Sequence, residues 1–71
     1  MFKLIDEKSG RAIDIGEEVT TFRGEKYRLE SFTPPRGPST GRVYIRAEGA
    51  EFAAGYYPSV IGARIVEVAH D

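Results

Sequence analysis

The sequence predicts an all-β fold, a small barrel of five to six strands with a short 3₁₀ turn before the last one. Three observations carry this. No stretch of ten or more residues repeats its apolar positions at the helical period. Short segments instead alternate apolar and polar residues. Turn-forming residues separate them at intervals of roughly 8–12 residues, as in small barrels and sandwiches. Closing such a sheet also removes the free edges that invite aggregation.

The elements follow in chain order. Phe2, Leu4 and Ile5 open a first strand. Glu7-Lys8-Ser9-Gly10 is a turn, with Gly10 available for a positive φ. In Ala12-Ile13-Asp14-Ile15-Gly16, Ile13 and Ile15 are expected on one face of a short second segment. Gly16-Glu17-Glu18 leads into a strand over Val19-Thr20-Thr21-Phe22, and Arg23-Gly24-Glu25 is a tight turn. Lys26 to Thr33 is strongly strand-like, with Tyr27 and Leu29 inward and Arg28 and Glu30 outward. The alternation slips at Ser31-Phe32, which predicts a bulge.

Residues 33–41 read Thr-Pro-Pro-Arg-Gly-Pro-Ser-Thr-Gly; three prolines and two glycines make this a loop. Arg42-Val43-Tyr44-Ile45-Arg46 is a strand with Val43 and Ile45 inward and Arg42, Tyr44 and Arg46 outward. Ala47-Glu48-Gly49-Ala50 turns the chain, and a short strand is expected over Glu51-Phe52-Ala53-Ala54. Pro58 stops any ladder in the irregular segment Gly55 to Gly62, where a 3₁₀ turn suits the sequence. Ala63 to Val68 is the final strand.

Size and composition narrow the function. A 71-residue chain is read as one domain, residues 1–71. It has one thin core and no room for an enclosed cavity between domains. Hydrophobic residues at 41% and charged residues at 30% exclude a disordered chain. No apolar run reaches membrane-spanning length, and the start Met-Phe-Lys-Leu-Ile-Asp-Glu is too charged for a signal peptide. A cytoplasmic location without membrane contact is the expectation. The absence of cysteine excludes disulfides, thiolate catalysis and cysteine-based metal sites. The single histidine, His70, is next to the last residue and reads as a solvated side chain. No constellation for catalysis emerges, so a non-enzymatic protein without cofactor or metal is expected.

The net charge of −1 hides an asymmetry. Residues 1–22 carry −2, residues 23–46 carry +4, and residues 47–71 carry −3. Seven of the ten basic residues are arginine, which binds phosphate and carboxylate bidentately. Pairing with the acidic flanks across a sheet accounts for the same pattern without a ligand.

Gly16-Glu17-Glu18-Val19, followed by a strand and the Gly24 turn, is similar to the opening of KOW-type and other Src-homology-3-like (SH3-like) barrels. Gly55-Tyr56-Tyr57-Pro58-Ser59-Val60 with Ala63-Arg64-Ile65-Val66-Glu67-Val68 resembles the end of such a domain, where a Pro-Ser 3₁₀ turn precedes the last strand. The chain departs from that pattern in lacking tryptophan and in having Val60 and Ile61 where a Tyr is expected. The phrases Val19-Thr20-Thr21-Phe22-Arg23-Gly24, Thr40-Gly41-Arg42-Val43-Tyr44 and Tyr57-Pro58-Ser59-Val60-Ile61-Gly62-Ala63 also resemble short accessory proteins of tailed bacteriophages of actinobacterial hosts. That resemblance implies a viral protein in the host cytoplasm. It admits an anti-defence role in which a nucleotide signal is sequestered.

Three candidate sites result. The loop with Arg36, Ser39, Thr40, Gly41 and Arg42 offers guanidinium groups, hydroxyls and glycine amides suited to an anion, and Pro35-Arg36-Gly37-Pro38 has the form of a proline-motif ligand. A P-loop is excluded, because no Gly-Lys-Ser/Thr and no helix follow. Arg42, Tyr44 and Arg46, extended by Arg28, form an Arg/Tyr face suited to phosphates and stacked bases; pairing with Glu30 or Glu51 is the plainer account. Tyr56 and Tyr57 cannot both point inward, so one ring is left either simply exposed or at an interface between copies. The expected function is binding of a nucleotide-like, phosphate-bearing ligand, as a homo-oligomer. A KOW-like nucleic-acid module and a module that docks on a host protein are the alternatives.

Overall fold

In a computed structural model of the chain, residues 1–69 are described, and His70 lies outside them. Six strands appear: β1 (Phe2–Asp6), β2 (Glu18–Thr20), β3 (Lys26–Thr33), β4 (Arg42–Ala47), β5 (Ala54–Tyr56) and β6 (Ala63–Glu67). A 3₁₀ turn, Pro58–Ile61, precedes β6 as expected. Pro58 starts this turn without needing an N–H, and Gly62 ends it at φ 65°.

The strands form two sheets. β1 pairs antiparallel with β6, and β2-β3-β4-β5 is an antiparallel meander. The hydrogen-bonded ladder does not close on itself, so the expected closed barrel is replaced by two sheets sharing one core. Short links hold them together. The connection after β1 is tied to β1 by the Ile13 N–H, which donates to the Leu4 carbonyl at 2.8 Å, and to β3 by the Gly16 N–H, which donates to the Leu29 carbonyl at 2.8 Å; the Phe22 N–H donates to the Val60 carbonyl at 3.0 Å.

The core is what alternation dictates. Leu4, Val19, Leu29, Val43, Ile45, Ile61, Ala63 and Ile65 are buried together. Burial of each large aliphatic contributes about 1.5–3 kcal/mol. The bulge falls where alternation slips: Leu29 pairs with Ile45 but Ser31 with Tyr44, leaving Glu30 as the extra residue. This returns Phe32 to the core side and keeps Glu30 outward. Tyr27 and Tyr56 meet edge to face at 6.3 Å between ring centroids. Burial pushes the Tyr27 phenol above its ordinary value, aided by the Glu25 carboxylate and a hydrogen bond with Tyr56.

Three local expectations are corrected. Ile13 packs on the core, but Ile15 lies in a turn and is exposed, because the segment makes one bridge at Ala12 and never becomes a strand. The strand at Val19 stops at Thr20. Thr21 turns inward, and its hydroxyl accepts the Arg23 and Glu25 N–H groups, leaving Phe22 exposed at the turn. The short strand expected over Glu51–Ala54 instead runs Ala54–Tyr56, since Gly55 and Tyr56 have partners on β4 before Pro58 intervenes.

Glu17 staples the β1–β2 connection. Its carboxylate accepts from Arg11 at 2.8 Å and from the Asp14 N–H at 2.6 Å. The Arg11 bond, then the Asp14 amide, hold its carboxyl below the ordinary value. A depressed carboxyl stabilises the fold above the unfolded-state pKa, and that contribution is lost as pH falls through the folded one. Glu17→Gln is therefore expected to lower the thermal midpoint at neutral pH. Melts in an acid series check this: the gap between the two proteins should close once the carboxyl is protonated.

Candidate functional site

The outer face of β3, β4 and β5 gathers most of the chemistry. Period two along β4 puts Arg42, Tyr44 and Arg46 on it, because Val43 and Ile45 are fully buried on the other side. Two-residue steps space these side chains about 6.8 Å apart, so the row spans about 14 Å. Antiparallel register sets Arg28 of β3 directly opposite Arg46.

Like charges directly opposite one another are unfavourable. Two contacts offset this. The Arg28 guanidinium donates to the Gly16 carbonyl, and Arg46 Nε lies 2.7 Å from a Glu30 carboxylate oxygen. The pairing with Glu30 foreseen from the sequence is therefore present. The only ion pairs among the described residues are this one, Arg11–Glu17 and Lys26–Glu18, and Glu51 takes part in none of them. Lys26, two residues before Arg28, shares its face and approaches Glu18 at 3.8 Å. Lys26, Arg28 and Arg46 line a groove of about 500 Å³ with Glu18, Glu48 and Ala47.

The middle of the row is aromatic. Tyr44 is half-buried and pairs across the sheet with Gly55. A Cβ on Gly55 would sit 3.0 Å from Tyr44 Cε1, so the ring lies over the glycine. At the far end the Arg42 guanidinium stacks 4.9 Å from the Tyr57 ring centroid. Tyr57 is exposed while Tyr56 packs against the core, the division that adjacency requires. Arg42 thus presents a guanidinium plane backed by a ring and unpaired with any carboxylate among the described residues.

The loop is differently disposed. Arg36 and Ser39 exchange backbone hydrogen bonds, 3.1 and 3.0 Å long. The Gly41 N–H donates to the Ser39 hydroxyl at 3.2 Å. Three loop amides, that of Gly41 among them, are thus spent inside the loop. The loop also leans away from the Arg/Tyr face. Ser39 and Thr40 line a separate groove of about 410 Å³ with Pro35, Pro58, Arg64 and Ile65. Arg36 is exposed on the loop. The structure therefore brings together Arg28, Arg42, Tyr44, Arg46 and Tyr57, and separates Ser39 and Thr40 from them.

The sequence reading missed Lys26 and the role of Gly55. Lys26 was legible, being in phase with Arg28. Gly55 needed the β4–β5 register. Among the described residues no group of three His, Cys, Asp or Glu is placed to hold a metal, and no helix is long and apolar enough to cross a membrane. No family model matches this chain, and no curated protein or solved structure matches it significantly.

Proposed function

We propose that this chain is a non-enzymatic module that binds single-stranded nucleic acid along the outer face of β3–β5. One observation carries the reading: Arg28 stands opposite Arg46 on an exposed face, in line with Tyr44 and the ring-backed Arg42. A fold that sets two arginines side by side departs from what sheet stability favours, and such departures mark functional surfaces. Guanidinium groups and Lys26 take phosphates; Tyr44 and the Arg42 plane offer stacking surfaces for bases. The face is open and extended, which suits a strand better than an enclosed single nucleotide. A single sequestered nucleotide, the first expectation from the sequence, is the rival reading, and dependence on length separates the two.

The connectivity supports the SH3-like, KOW-like part of this proposal. First and last strands pair, the middle strands form a meander, and a Pro-Ser 3₁₀ turn leads into the last strand.

Anisotropy titration of labelled single-stranded oligonucleotides over a salt series tests the reading. Three to four phosphate contacts predict a slope of about −2 to −3 for log K against log salt. Binding independent of salt, or mononucleotides bound as tightly as oligonucleotides, would refute it. Glu30→Gln is a sharper test. Removing the carboxylate frees Arg46, so affinity should rise severalfold and the slope steepen by about 0.7. A loss of affinity in this variant would show that Arg46 is needed only as a cross-strand partner.

A further inference from the structure

We propose that β5 is the pairing edge for a second copy of this chain, joining two four-stranded sheets into one. This pairing needs no ligand. β5 ends the meander, and no strand lies beyond it among the described residues. Neither Ala54 nor Gly55 exchanges a backbone hydrogen bond with any turn or loop there. The other edges are managed. β2 carries Glu18, next to Glu17. β1 is bridged by the Ile5–Ala12 pair. β6 carries the exposed charges Arg64 and Glu67. Residues 52–57, Phe-Ala-Ala-Gly-Tyr-Tyr, carry no charge, and an unprotected uncharged edge is a template for another strand.

The occupant is read from the residue sizes. Antiparallel pairing about a two-fold axis at Gly55 sets Ala54 of one copy against Tyr56 of the other, and Ala53 against Tyr57. Each Tyr faces an alanine, and the two glycines face each other. The same pairing covers Phe52 and Tyr57, which are 80% and 53% exposed in the single chain. Rings of this size bury at most about 150–250 Å² each, so the four of them contribute no more than about 600–1,000 Å², the size of a weak, transient contact. A weak, reversible dimer populated below millimolar concentration is expected. Its two β4 rows would stand about 14 Å apart, three strand spacings, on one continuous face.

Sedimentation equilibrium of the full chain without ligand tests this. The expected result is a concentration-dependent mass approaching twice the 7.9 kDa of one chain. Phe52→Lys with Ala54→Lys places charge on two exposed edge positions and should give a monomer with an unchanged circular dichroism spectrum. A wild-type chain that stays monomeric at millimolar concentration overturns the proposal and leaves the edge to an extended segment of another protein. A dimer that persists in the folded double variant overturns it too, because another surface must then hold the copies together.

Discussion

Gly41→Ala is expected to leave little folded protein. Gly41 has φ 90°, and a Cβ there would sit 2.5 Å from the Thr33 carbonyl oxygen and 2.7 Å from Ile65 Cδ1. The Ile65 methyl is able to move, but the carbonyl belongs to the end of β3 and is fixed by its pairing with Arg42. The left-handed backbone costs an alanine about 1–2 kcal/mol, and forcing atoms into a packed site costs about 1–3 more. The sum is comparable with the roughly 5 kcal/mol that a small domain has in total. Gly49→Ala is the control. It has φ 82° but nothing within 4 Å of its Cβ, so it meets the backbone strain alone. Thermal melts by circular dichroism should give a clear transition for Gly49→Ala and a lost or strongly lowered one for Gly41→Ala. Equal midpoints would mean that the loop yields and that Gly41 does not clamp it to β6.

The contrast between these glycines shows how far the sequence is readable. Gly41 ends a proline-rich loop and reads as a turn residue like Gly49. Its approach to the Thr33 carbonyl across the loop and to Ile65 of the last strand sets it apart, and no local pattern encodes that approach. β3 and β4 are legible throughout because each buries one side of a regular alternation, and even the bulge shows as a slip. Ile15, Phe22 and the start of β5 are misread for one reason. They flank turns, where the single bridge at Ala12, hydrogen bonds to the Thr21 hydroxyl or pairing with β4 decide orientation and apolar character does not. Barrel closure is a relation between sheets, and alternation specifies only faces. The Arg/Tyr face was readable from period two. The turning of Ser39 and Thr40 away from it was not, because it depends on where the loop packs.

Arg42→Ala combined with Tyr44→Leu is expected to abolish measurable binding of single-stranded nucleic acid while leaving the fold in place. Tyr44 and Arg42 point outward, so the core loses no contact. Leucine at 44 still covers Gly55, which alanine would leave bare against solvent. A stacked base contributes about 1–3 kcal/mol, and a hydrogen bond to a charged group about 1.5–3. Losing both removes about 2.5 kcal/mol or more, at least roughly sixtyfold in affinity. The single Arg42→Ala variant should also flatten the salt slope by about 0.7, whereas Tyr44→Leu should weaken binding at constant slope. That split separates a phosphate contact from a stacking contact, which a merely destabilised sheet would not do. Arg64→Ala is the counter-test, since Arg64 lines the proline-loop groove on the other sheet. If Arg64→Ala removes binding and the double variant keeps it, the ligand sits between the loop and β6, and the Arg/Tyr face is only a solvated surface.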